Sequence, residues 1–191
     1  MKFRLISRVL GIGLIAFSFL QLTPIIVSII YNEDNITAFA YSFLITLAFG
    51  FFLYLVNFEK KYEGIRVKEG FLLTVLLWLF FTIFATLPLI FGTKTDLSIV
   101  SAYFEATSGL TTTGATIFSD LSGEYYSILF YRGLLQWIGG LGIIVLAIAL
   151  MPLLGVGGMQ LYRGETQGPI NQSKLRPKIA ETAMVLVYIY L

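Results

Sequence analysis

The chain alternates long apolar runs with short polar breaks, and the length of each run decides what it can become. A mostly apolar stretch of about 20 residues is long enough to cross a bilayer as a helix. The first such run is Val9–Tyr31, with Pro24 in its outer third, where a membrane helix tolerates a kink. The acidic turn Asn32-Glu33-Asp34-Asn35 separates it from a second run, Thr37–Phe58. A charged segment, Glu59–Gly70, leads into a third, Phe71–Phe91, which carries Pro88 near its end. After the polar turn Ser119–Glu124 comes a fourth, Tyr125–Leu154, interrupted by Arg132, Gly139, Gly140, Gly142 and Pro152. A Gly-containing polar linker, Gly155–Lys178, precedes Ala183–Leu191, which reads as the first turns of a fifth helix. Two turns cannot span, so the sequence is expected to be a piece of a longer protein.

Between the third and fourth runs lies Asp96–Thr116, which is too short and too polar to cross. Leu97–Leu110 predicts a helix of about 21 Å, against a hydrocarbon core of about 30 Å. Asp96 or Ser98 is placed to cap its N-terminus. The run Thr111-Thr112-Thr113-Gly114-Ala115-Thr116 follows at once. By itself such a run reads as an ordinary outer loop. Its position after a sub-span helix, between two full spans, favours a re-entrant segment that dips into the bilayer and returns. The negative end of the helix dipole would then point toward the membrane interior and favour a cation. Gly114, lacking a Cβ, is free to aim neighbouring carbonyls at an axis. Carbonyl rings of this kind replace the hydration shell of a monovalent cation.

Composition agrees with the pattern. The chain is 57% hydrophobic and 13% charged, whereas soluble domains have about 45–50% apolar and about 25% charged residues. With no Cys and no His, disulfides, thiolate metal sites and the commonest general base are excluded, and no nucleophile–base pair stands out. An enzyme is not expected, and nor is a nucleic-acid partner. Lys and Arg concentrate in cytoplasmic loops. Here 11 of the 13 fall before the first run, between the second and third, or in the linker after the fourth; Lys94 alone lies opposite. The N-terminus is therefore expected to be cytoplasmic, with the Thr-Gly loop entering from outside.

Two charges fall at membrane depth, Glu105 and Arg132. Isolated charges are expensive there, so the preferred reading is a structural clamp behind the loop. The alternative is an ion-attracting carboxylate with a gating charge. Gly139, Gly140 and Gly142 read as close-packing positions, a hinge being the alternative. Tyr31, Tyr125 and Tyr126 suit the membrane interface.

The order of span, short helix, Thr-Gly loop and span resembles the repeat unit of the Trk/Ktr/HKT potassium transporter family. The resemblance rests on Phe104–Thr116 (FEATSGLTTTGAT), Leu129–Gly140 (LFYRGLLQWIGG), Gly155–Arg163 (GVGGMQLYR) and Arg176–Thr182 (RPKIAET), and it extends over the whole chain. It implies an all-α polytopic membrane protein with a potassium-channel-like pore. In that scheme residues 1–58 form two additional N-terminal helices and 59–70 a cytoplasmic loop. Residues 71–154 form a first pore repeat, with pore helix 97–110 and filter 111–116. Residues 155–178 are a cytoplasmic linker, and 179–191 begin a second repeat. Thr112 and Thr113 take the place of filter residues whose carbonyls bind potassium, with Thr111 and Gly114 beside them. The resemblance further implies uptake of potassium ions across the cell inner membrane. It also implies a cytosolic nucleotide-binding regulatory subunit, a homodimer and a lipid surround. One such repeat supplies one of four filter walls; a non-conducting membrane fragment or assembly subunit is the alternative.

Overall fold

The computed structural model describes residues 3–56, 67–150, 185 and 188–190, with the backbone alone for 67–68 and 144–150. These fall into two units, Met1–Trp137 and Ile138–Leu191. The second unit is described only as the later part of a helix and as helical residues near its end. The linker 155–178, with the basic cluster Arg163–Lys178, lies outside the described residues, as does Pro152.

Among the described residues the chain is helical throughout: α1 Phe3–Leu20, α2 Thr23–Ile30, α3 Ile36–Val56, α4 Val67–Gly92, α5 Ile99–Leu110 and α6 Tyr126–Leu150. By length and composition, Phe3–Ile30, Ile36–Val56 and Glu69–Gly92 can each cross a membrane. The first expected span is two helices rather than one kinked helix. Pro24 has no N–H to give the Leu20 carbonyl, and the Thr23 hydroxyl fills that role at 2.8 Å. Gln21 and Leu22 close the gap with tight bonds to Ser18 and Phe19. α4 begins at Val67, inside the segment read as a charged loop.

α1 packs on α3 and α4, and α5 on α4. The α1–α3 contact is backbone to backbone. A Cβ on Gly11 would stand 2.7 Å from the Gly50 carbonyl oxygen, and one on Gly50 would stand 3.0 Å from the Ile15 nitrogen. Small residues permit this approach in membrane bundles. The core joins Leu14 and Phe17 of α1, Phe39 of α3, Leu89 of α4, Ala106 of α5 and Tyr131 of α6. Outward faces keep large apolar residues exposed, among them Ile29, Tyr41, Phe52 and Val75, as expected where lipid is the solvent.

Polar groups inside this bundle have specific partners. Pro88 deprives the Phe84 carbonyl of its helical donor. Gln21, from the break between α1 and α2, donates Nε2 to that carbonyl at 3.0 Å. The Gln21 carbonyl oxygen accepts from the Thr46 hydroxyl at 3.0 Å, and Tyr131 donates its hydroxyl to the neighbouring Ala85 carbonyl at 3.0 Å. A proline in α4 and a helix break whose Gln21 lies 63 residues before the orphaned Phe84 carbonyl are thus complementary. Replacing Gln21 with Leu is expected to destabilise the bundle by about 1–3 kcal/mol, the cost of a buried unsatisfied carbonyl. Pro88→Ala restores the N–H to Phe84 and should recover much of that loss. Thermal melts in detergent of the two single variants and the double variant check this; simple additivity would count against it.

Candidate functional site

Helix α5 owes its start to Ser98, whose extended backbone (φ −62°, ψ 153°) and side-chain oxygen receive the Ser101 N–H at 3.1 Å. Of the two expected caps, this is the one in use, so the helix starts two residues later than expected. At 12 residues it is about 18 Å long. Ala102, Ala106 and Leu110, spaced four apart, face the core. Gly109 lets α6 close in, since a Cβ there would lie 3.1 Å from that of Leu135. The opposite face leaves Ile99, Val100 and Phe104 exposed.

The end of α5 shapes the loop. Thr112 N–H bonds back to the Gly109 carbonyl at 3.0 Å, and Thr113 N–H to the Ser108 carbonyl at 3.0 Å. This is the Schellman pattern, in which the residue just past the helix is left-handed and is usually glycine. Here that residue is Thr112, at φ 57°. A β-branched residue in this region is a true outlier, and such strain collects at functional sites. Gly114, at φ 74°, carries the positive angle expected of it. Thr112 does not reveal its own from sequence, because nothing distinguishes it from the threonines on either side.

Several further bonds fix the loop, whose residues 111–117 are exposed. Ser108 gives its hydroxyl to the Ala115 carbonyl at 2.6 Å. Thr111 bonds back to the Thr107 carbonyl at 2.8 Å and pairs its hydroxyl with that of Thr113, also at 2.8 Å. Among the described residues no hydrogen bond ends on the carbonyls of Thr112, Thr113 or Gly114. What the loop offers a ligand is therefore neutral oxygen. No group of three or more His, Cys, Asp or Glu gathers among the described residues to hold a metal by its side chains.

Glu105 and Arg132 meet behind the loop. The Arg132 Nε donates to the Glu105 carboxylate at 2.5 Å. The same carboxylate accepts from the Thr116 hydroxyl at 3.1 and 3.2 Å and from the Ile117 N–H at 3.0 Å. Arg132 also lies over the Phe118 ring, 5.4 Å from its centroid. One buried carboxylate thus joins α5, α6 and the return of the loop.

Two carboxylates that sequence reading left as loop charge organise the polar end of the bundle. Glu33 accepts from the N–H groups of Tyr126 at 2.6 Å and Ser127 at 3.1 Å, capping α6 from 93 residues away. Glu124 accepts from the N–H of Lys94 at 2.7 Å and of Tyr125 at 3.1 Å. Beside them Asn35 bonds the Gly92 carbonyl and the Ser127 hydroxyl. Asp120 is held below the usual carboxylate range by the Ser122 hydroxyl and, secondarily, by its N–H. No sequence period links such distant partners.

Span-length apolar helices, a helical bundle with a polar interior and a short helix running into an oxygen-lined loop together define an all-helical membrane transporter. Residues 35–191 match the model of a family described as "TrkH: Cation transport protein". The chain belongs to that family, which is one of transporters and not of enzymes. It is 48% identical over 190 residues to the Trk system potassium uptake protein TrkH of Escherichia coli K12, covering 100% of this chain and 39% of that protein. It is 36% identical over 187 residues to TrkG of the same organism, covering 98% of this chain and 38% of that one. The crystal structure of the potassium transporter TrkH from Vibrio parahaemolyticus superposes with a TM-score of 0.83 at 39% identity, covering all of this chain and 37% of that chain. The sequence therefore spans about two fifths of the length of these relatives.

Breaking a buried ion pair by removing one partner costs about 3–5 kcal/mol. Arg132→Gln leaves Glu105 buried without its cation, so protein yield and melting temperature should both fall. Normal yield with an unchanged melt would remove the clamp from the loop's supports.

Proposed function

We propose that this segment supplies one wall of a potassium-selective pore for uptake of the ion across the cell inner membrane. Thr112 and Thr113 contribute backbone carbonyls to the ion, with Thr111 and Gly114 completing the filter segment 111–116. Helix α5 acts as the pore helix, and Glu105 with Arg132 holds the assembly from behind. The observation that carries the reading is the conformation of the loop. Thr112 and Gly114 are both left-handed, and among the described residues no hydrogen bond ends on the carbonyls from Thr112 to Gly114. Neutral oxygens suit a large monovalent cation, whereas a divalent ion calls for carboxylates.

The driving force is the membrane potential, about 2.3 kcal/mol per charge for each 100 mV. The distribution of Lys and Arg supports a cytoplasmic N-terminus with the loop's mouth outside. Relatives named for a Trk system are about two and a half times as long as this chain. A complete pore accordingly draws three more filter walls from sequence beyond this segment, and works as a dimer, in lipid, with a cytosolic nucleotide-binding regulatory subunit.

The full-length reading frame carrying this segment should restore growth of a potassium-uptake-deficient bacterium at limiting potassium. Gly114→Ser should abolish that rescue or erase the preference for potassium over sodium. A Cβ at Gly114 meets nothing within 4 Å. The serine therefore disturbs the backbone angle, at about 1–2 kcal/mol for a left-handed residue, and clashes with nothing. Full rescue with unchanged ion preference would sink the filter assignment.

A further inference from the structure

Many hydroxyls on the helices of this protein are satisfied within their own helix. Those of Ser42, Thr46, Thr82, Thr86 and Thr107 all bond the carbonyl four residues back, at 2.7–2.8 Å. That is the usual way to satisfy a hydroxyl inside a membrane helix. Ser108, like Ser28, departs from it. Its hydroxyl reaches forward seven residues to the Ala115 carbonyl, at 2.6 Å. Its own carbonyl meanwhile accepts from the N–H groups of Thr113 at 3.0 Å and Gly114 at 3.4 Å. Ser108 itself is buried, 5% exposed. One residue of α5 thus grips the loop at three consecutive positions.

The consequence for the loop is specific. The Ala115 carbonyl is turned toward α5, so the series of unclaimed carbonyls stops at Gly114. The two N–H bonds hold the backbone that follows left-handed Thr112, a conformation threonine does not keep unaided. Oxygens held at fixed spacing cannot close around a smaller cation, whereas a loop released from its support can follow the ion inward. We propose that Ser108 is the positioning residue that sets ion preference at this loop, its hydroxyl fixing where the coordinating series ends. This rests on the transport reading above. The role is distinct from that of Glu105, which holds the return of the loop at Thr116 and Ile117.

The test uses the full-length protein in proteoliposomes, with potassium and sodium uptake measured for wild type, Ser108→Ala and Ser108→Thr. The ratio of the two uptakes reads only on protein that has folded, so it is insensitive to yield. Ser108→Ala should lower the potassium-over-sodium ratio about fivefold, the effect of one net hydrogen bond, while total cation uptake continues. Ser108→Thr keeps the hydroxyl and should keep the wild-type ratio. A wild-type ratio in Ser108→Ala overturns the assignment, and so does an equal loss in both variants. A wild-type protein that moves neither cation sinks the transport reading itself, which separates the two failures.

Discussion

A backbone carbonyl or N–H that loses its helical partner in a bilayer finds no water to replace it, and the unpaired group costs several kcal/mol. The gaps in helical bonding at both prolines among the described residues are arranged around that constraint. Pro24 frees the Leu20 carbonyl, and Thr23 takes it up. Pro88 frees the Phe84 carbonyl, and Gln21 takes it up from another helix. The first repair is local and affects only the helix it mends. The second ties α4 to the junction of α1 and α2, so two breaks that would each weaken a span together become a cross-link. The glycine contact between α1 and α3 brings the backbones close enough for Thr46 to join the same network.

The same constraint governs the loop after α5, with a different outcome. Its carbonyls at Thr107, Ser108 and Gly109 are taken by the loop's own N–H groups, and the Ala115 carbonyl by Ser108. Those of Thr112 to Gly114 are left for another partner. At membrane depth an unclaimed carbonyl is tolerable where it lines a cavity or meets an ion. The buried carboxylate of Glu105 supports this arrangement by tying the return of the loop to α5 at Thr116 and Ile117. An apolar residue at that position would leave the Thr116 hydroxyl and the Ile117 N–H to seek other acceptors, and the exposed carbonyls are the nearest of their kind in sequence.

Much of the bundle was legible before any coordinates. Spans of about 20 apolar residues are long enough that no packing partner changes their reading, and α3 and α6 start, and α4 stops, within one residue of the runs that predicted them. The short α5 and its serine cap were legible from length and a single residue type. The break at Gln21 and Leu22 was read as a kink, because a proline alone does not say whether its orphan carbonyl will be met within the helix or lost to a turn. Gln21, Glu33 and Tyr131 were silent for a common reason. Each acts on a backbone group dozens of residues away, and no period or motif encodes such a meeting. Glu105 and Arg132 were visible as a pair only because charge at that depth demands a partner.

Two helices in this chain end in the same hydrogen-bond pattern, and the difference between them isolates what is special about the loop. α2 closes with Asn32 N–H on Ile29 and Glu33 N–H on Ser28, and its left-handed residue is Asn32, at φ 52°. Asparagine enters that region at little cost, and Ser28 reaches forward from the same helix to the Glu33 carbonyl at 3.3 Å. α5 closes identically but places Thr112 at the left-handed position, where the Cβ branch opposes it. Glycine or asparagine would have served the turn alone. A helix end that keeps threonine there, braced by Ser108 on one side and Glu105 on the other, is organised around something other than ending a helix, and the direction of the carbonyls that follow is the property this bracing controls.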